Sequence, residues 1–288
     1  MIVFEGDYVL AECLRQAYPF ANQILISQGP VKFWQQEGRT TSLDKTNYII
    51  KNFPDPDNKI KIIHGLWNEK DDQANAYCKY ISPDTDYLWN LDSDEVYKTS
   101  DLIKIIDYLR SENPSSVGIR SCSFFGGFNH YLTGFELQKD NFLRIFKYTN
   151  GATWLTHRPP TLKHVNPLIQ QANHVDSDRL YADIGAQMYH YSYVFPSQVY
   201  KKVNYYKNIV SKDRCIDNYF QKVYLNWVLG TQTQKKKVEQ IFKGVHEFKP
   251  EYRGECFPLK FSEGHPEAIN LNMKNLTERF NNELLFYR

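Results

Sequence analysis

No stretch of this sequence approaches the ~20 consecutive apolar residues of a membrane-spanning helix, so any membrane association is expected to be peripheral. Charge of one sign is also missing. There are 35 Lys and Arg against 33 Asp and Glu, a net charge of +2. That balance excludes a protein that holds duplex nucleic acid by charge alone. The one basic run, Lys235 to Lys237, reads as a solvated helix face. Cysteine is sparse. Cys13, Cys78, Cys122, Cys215 and Cys256 are scattered, and no pair has metal-ligand spacing. The odd count and the scatter point to reduced thiols and a cytoplasmic location. No signal peptide is expected before the first strand, and the sequence shows no repeat, low-complexity tract or linker. With 288 residues, one continuous domain with a sizeable core is expected.

What is present is organised around Tyr87 to Tyr97. An apolar run, Tyr-Leu-Trp-Asn-Leu, ends in Asp92, Asp94 and Glu95. Leu102, Ile105, Ile106 and Leu109 then recur on one helical face. The reading is buried strand, acidic turn, helix. Ligands of open α/β sheets bind beyond the carboxyl ends of the strands. Two carboxylates two residues apart repel each other unless a cation sits between them. A hard divalent ion, Mn²⁺ or Mg²⁺, suits such a pair and can also hold a diphosphate. The alternative is a solvated acidic turn, with Asp101 favouring the next helix start.

Periodicity predicts a strand at 1–4, a helix over 9–18 stopped by Pro19, and a strand at 24–26. A loop over 31–42, a helix over 43–52, a strand at 60–63 and a helix over 71–81 follow. This alternation predicts a parallel sheet with right-handed crossovers. Beyond residue 115 the pattern becomes mixed. It suggests strands over 117–125 and 142–146, a hairpin-like return at 151–154, helices near 199–210 and 216–227, and a short last helix at 276–284.

The strand–helix order, closed by Leu-Asp-Ser-Asp-Glu, resembles the nucleotide-sugar domain of GT-A glycosyltransferases, in particular family 2-like enzymes. Trp67 to Asn75 resembles the stretch that precedes the acidic motif in bacterial members. The resemblance covers about residues 1–160. It implies an α/β GT-A fold with a Rossmann-like mixed sheet, a nucleotide-sugar half at 1–115 and an acceptor half at 116–288. It further implies a UDP- or GDP-sugar donor and a divalent metal. Asp92 would face the ribose and metal, Asp94 would bind the metal, and Glu95 would support the turn. His190, in an alternating strand pattern, would complete the metal shell; His265 is the rival, and His246 ranks lower. The donor-contacting set is Phe4, Glu5, Ser27, Gln28, Gln73, Asp92, Ser93, Arg158 and His265. Trp154 and His157 would face the acceptor. Asp183 and Glu136 are the candidate general bases.

Three departures from the family pattern stand out. Ser27, Gln28 and Gly29 occupy the place of an Asp that touches the base. Ala74 stands where Arg is usual. Arg158 replaces a Glu, and could grip a phosphate bidentately or form a surface ion pair.

The expected activity is metal-dependent transfer of a sugar to a hydroxyl of a glycan or lipid-linked saccharide. Transfer to a modified base of a viral genome is a less favoured alternative. A non-catalytic carbohydrate-binding protein on a transferase scaffold is another, which the intact acidic pair opposes. A nucleotidyltransferase would show a Gly-rich phosphate loop after the first strand, and Glu5-Gly6-Asp7 is too thin for one.

Overall fold

The computed structural model describes every residue except 135–141, 167, 169–172, 210–211 and 288. The chain divides into two compact units that interleave in sequence. The first comprises 1–119 and 141–188, and the second 120–140 and 189–288.

The first unit opens with β1 (Ile2–Val3), α1 (Leu10–Ala17), β2 (Ile24–Gln28), α2 (Lys32–Gln36), α3 (Thr46–Asn52), β3 (Ile60–His64) and α4 (Lys70–Cys78). It continues with β4 (Tyr87–Trp89), β5 (Glu95–Val96), α5 (Thr99–Glu112) and β6 (Ser116–Ile119). After β7 (Ser121–Phe125) and β8 (His130–Gly134), which belong to the second unit, it resumes. Its remaining elements are β9 (Phe142–Lys147), β10 (Thr153–His157), β11 (Pro160–Lys163), β12 (His174–Val175) and α6 (Ser177–Ile184).

β1, β2 and β3 form the expected parallel sheet, with Ile24 opposite Ile60 and Gln28 opposite His64. α1 buries Leu10, Cys13 and Leu14, as its spacing predicts. On α5 the residues Leu102, Ile105 and Leu109 pack with Val117, Ile119 and Ile145 in one core cluster. The helix ends at Asn113, whose left-handed backbone sends its N–H to Leu109 O, the C-cap geometry that Gly or Asn tolerates.

The parallel expectation fails at β4. That strand pairs antiparallel with β9, placing Leu88 opposite Phe146 and Trp89 opposite Ile145, in a sheet of order β12-β6-β9-β4. A strand supplied from far downstream is invisible to local alternation. The expected single strand over 117–125 is two strands, interrupted at Arg120 and assigned to different units. The expected loop at 31–42 contains α2. Gln35 Nε2 anchors that helix by donating to Pro30 O (3.0 Å) and Trp67 O (2.8 Å).

In the second unit β14 (Cys256–Lys260), β8, β7 and β13 (Met188–Tyr193) lie side by side, with β14 and β8 antiparallel from Cys256–Gly134 to Lys260–His130. Phe124 stacks on Tyr191 at 4.6 Å between ring centres. The unit also carries helices α7 (Pro196–Ile209), α8 (Gln232–Phe242) and α9 (Glu267–Leu285); α9 has 19 residues and is longer than periodicity predicts. The helix expected near 216–227 is wound as a π-helix over Phe220–Leu225. Among the described residues no helix is long and apolar enough to cross a membrane. The structure joins none of the five cysteines in a disulfide.

Candidate active site

The acidic turn follows β4 and is closed by its own ends. Glu95 N–H donates to Asp92 O (3.2 Å), and Asp92 N–H donates to Glu95 Oε2 (3.2 Å). The Glu95 side chain is fully buried, and a buried carboxylate needs a partner. Arg144, from the middle of β9, supplies it. Its Nε lies 2.9 Å from each Glu95 oxygen, and its Nη2 reaches Glu95 Oε1 and, at 3.2 Å, Asp92 Oδ2. Burial alone would lower the Arg144 guanidinium. Glu95 and then Asp92 more than offset that and hold it above its ordinary value. The Asp92 side chain keeps 37% of its surface exposed, and Ser93 and Asp94 are half-buried. The loop after β1 runs against this turn: a Cβ on Gly6 would stand 2.6 Å from Ser93 Oγ.

Ser42 ties that loop to the end of β2. Its Oγ accepts from Glu5 N (3.1 Å) and from Gln28 Nε2 (3.2 Å). Gln28 Oε1 also meets His64 Nδ1 at 2.9 Å. Glu5 has a positive φ of 48°, is buried, and accepts from Arg39 Nη1 at 2.8 Å. Phe4 lies half-buried with its ring 5.9 Å from Trp34. Gln73, expected to contact the donor, spends its Nε2 on backbone carbonyls: Ser27 O (2.9 Å), Gly29 O (3.2 Å) and Val3 O (3.4 Å). It thereby joins α4 to the ends of β1 and β2. Ser27 Oγ is sealed in the core without a hydrogen-bond partner.

The β10–β11 hairpin lies beside α4. Asn75 grips the Trp154 backbone from both sides, donating Nδ2 to its O and accepting its N–H at Oδ1, each at 2.8 Å. The Trp154 ring is buried edge-on to Phe146 at 5.1 Å, in a core cluster with Tyr77, Ile81 and Leu162. His157 N–H donates to Asp71 Oδ1 at 2.6 Å. Its Nε2 is buried without a partner. Burial, with help from Lys70, lowers the imidazole to about 4 against the opposing pull of Asp92 and Asp71. His157 therefore stands in the field of the acidic turn, while Arg158 is exposed.

The other candidates are placed as follows. Asp183, at the end of α6, is exposed; it accepts from Tyr108 OH (2.8 Å) and lies 3.6 Å from Arg179 Nε. Glu136 lies outside the described residues. In the second unit His190 is half-buried on β13. His265 Nδ1 is 2.9 Å from Tyr191 OH, among the rings of Phe124, Phe128 and Phe261. His246 is buried, with Nδ1 accepting Phe248 N–H (3.2 Å) and lying 3.1 Å from Glu247 Oε2. Sequence reasoning missed Arg144 and the clamp made by Asn75. The signal for Arg144 was there: a lone charge in the apolar stretch Phe142 to Phe146 requires a buried counter-charge.

Residues 40–165 match the family model described as Glycosyl transferase family 2. That segment holds the acidic turn, Arg144 and the hairpin with His157. The resemblance read from the sequence is thus shown over this segment, and the mixed α/β architecture agrees with a GT-A fold. No curated protein matches the chain. Among solved structures the chain is similar to TarS 1-349 of S. aureus, at 11% identity and a TM-score of 0.39. The similarity covers 71% of this chain and 62% of that one, less than two thirds of its length. A likeness this loose carries no argument.

Proposed function

We propose that this chain is a metal-dependent glycosyltransferase, moving a sugar from a nucleoside-diphosphate donor, UDP- or GDP-linked, to an acceptor hydroxyl on a glycan or lipid-linked saccharide. The observation that carries the reading is the clamped turn. Asp92 and Asp94 stand beyond the end of β4, within the segment that matches the glycosyltransferase family, and a buried guanidinium holds the turn in shape.

The residues present suit a hard cation shared with a diphosphate. Asp92 and Asp94 offer carboxylate oxygens. Among the described residues no group of three or more His, Cys, Asp or Glu gathers at metal-binding spacing. One or two carboxylates, with phosphate oxygens and water completing the shell, is a common way of holding Mg²⁺. Asp92 and Asp94 would hold the ion, which would offset charge growing on the leaving diphosphate. Arg144 and Glu95 hold Asp92 in place. The acceptor hydroxyl must lose a proton, and Asp183 is the proposed base. Tyr108 OH already occupies its Oδ2, so the proton would go to Oδ1.

Thermal unfolding with UDP and GDP, each with and without Mn²⁺, tests the reading. A nucleotide at a hundred times its dissociation constant stabilises the native state by ~2.7 kcal/mol. The gain should require Mn²⁺ and vanish in Asp94→Ala. If neither nucleotide shifts the transition, the nucleotide site is wrong. Asp183→Asn should cut transfer by roughly two to four orders of magnitude with donor affinity unchanged; a wild-type rate removes Asp183 from the mechanism.

A further inference from the structure

Arg144 has more contacts than a buried ion pair needs. It is 6% exposed, and burying a guanidinium is costly unless its donors are met. Nε lies 2.9 Å from both oxygens of Glu95, and Nη1 donates to Leu143 O at 3.2 Å. The cation also lies 5.3 Å from the centre of the Phe142 ring. With the plane of the guanidinium fixed in this way, Nη2 still spans from Glu95 Oε1 to Asp92 Oδ2. Glu95 in turn holds the Asp92 N–H. One residue of the acidic motif is therefore fixed at its backbone by Glu95 and at its side chain by Arg144, while its carboxylate stays partly open to solvent.

We propose that Arg144 is the positioning residue of the acidic turn, setting the direction in which Asp92 meets the diphosphate donor without touching the donor itself. The inference rests on reading the turn as a nucleotide site. A purely structural ion pair would need only Glu95, and the bond to Asp92 would have no consequence for ligand. Lysine at position 144 keeps the charge but lacks the planar fork, so it cannot satisfy Glu95 and Asp92 together.

The test uses the full chain and measures UDP and GDP binding with Mn²⁺ by calorimetry, with thermal unfolding in parallel. Arg144→Lys should bind the nucleotide roughly 10–100-fold more weakly, the usual effect of removing a group that orients a ligand-contacting residue. The double variant Arg144→Met/Glu95→Gln covers the case in which Arg144→Lys does not fold. It removes both buried charges together, and its amide oxygen still accepts the Asp92 N–H. It should unfold near the wild-type temperature, because a buried pair removed whole is often neutral, and should show the same loss of affinity. A folded variant that binds nucleotide as tightly as the wild type overturns the inference and leaves the nucleotide site standing. A wild-type chain that binds neither nucleotide overturns both.

Discussion

At Gly6 a single added carbon would meet the candidate site. Its Cβ would stand 2.6 Å from Ser93 Oγ and 3.1 Å from Val3 Cγ2. Gly6→Ala should therefore push on the acidic turn, destabilising the fold by about 1–3 kcal/mol as overpacking does and weakening nucleotide binding. Trimming the opposing hydroxyl, in Gly6→Ala/Ser93→Ala, should restore part of the loss. A double-mutant cycle on nucleotide affinity checks this, and additive effects would show that the two residues do not meet. Gln73 makes the contrary case. Its amide donates to three carbonyls, so Gln73→Leu leaves buried acceptors unmet. It should cost about 1–3 kcal/mol in urea unfolding, with any nucleotide effect secondary to that loss.

Elements whose contacts are local in sequence were the legible ones. On α1 and α5 periodicity names most of the buried face, Leu10, Cys13 and Leu14 and then Leu102, Ile105 and Leu109, whereas Ile106 and the isoleucines of β3 are half-buried. β4 was correctly seen as a strand, yet its partner is β9, more than fifty residues on; periodicity names a buried face and says nothing about which strand will cover the edge. The site divides in the same way. Asp92, Asp94 and Glu95 form a local pattern and could be read. Arg144 from β9, which shapes them, and His157 from the β10–β11 hairpin, which feels the charge of Asp92, arrive from other elements. Trp154 shows the converse, a role expected of an open ring at a residue that the structure buries. Its place near a predicted strand end suggested an acceptor platform, but packing on Phe146 buries the ring. The hairpin that carries it hangs on Asn75, and Asn75→Ala removes two hydrogen bonds to one residue. A loss of about 1–3 kcal/mol and faster amide exchange along β10 than along β2 are expected.

Each unit holds a histidine whose protonated form burial disfavours. Burial lowers His157 to about 4 in the first unit; in the second, burial lowers His246 to about 4 even though Glu247 pulls it up. The unfolded chain protonates each near 6.5. Between about 4 and 6.5 the unfolded state thus binds more protons, so this stability is complete above 6.5 and drains away as the pH falls toward 4. For His246 the loss is on the order of 3 kcal/mol. The urea midpoint should fall over that range, and His246→Gln should flatten part of the fall; an unchanged profile would show that His246 does not contribute. The guanidinium that clamps the acidic turn lies 49 residues beyond the carboxylate it holds, which bears on the order of folding. The turn's backbone bond closes within four residues, but its charge clamp waits on the closure of a long loop, and contacts of that separation form late. A nascent chain would carry the whole Asp92-to-Glu95 motif well before it could use it. The first tight binding of nucleotide during refolding should coincide with the docking of β9.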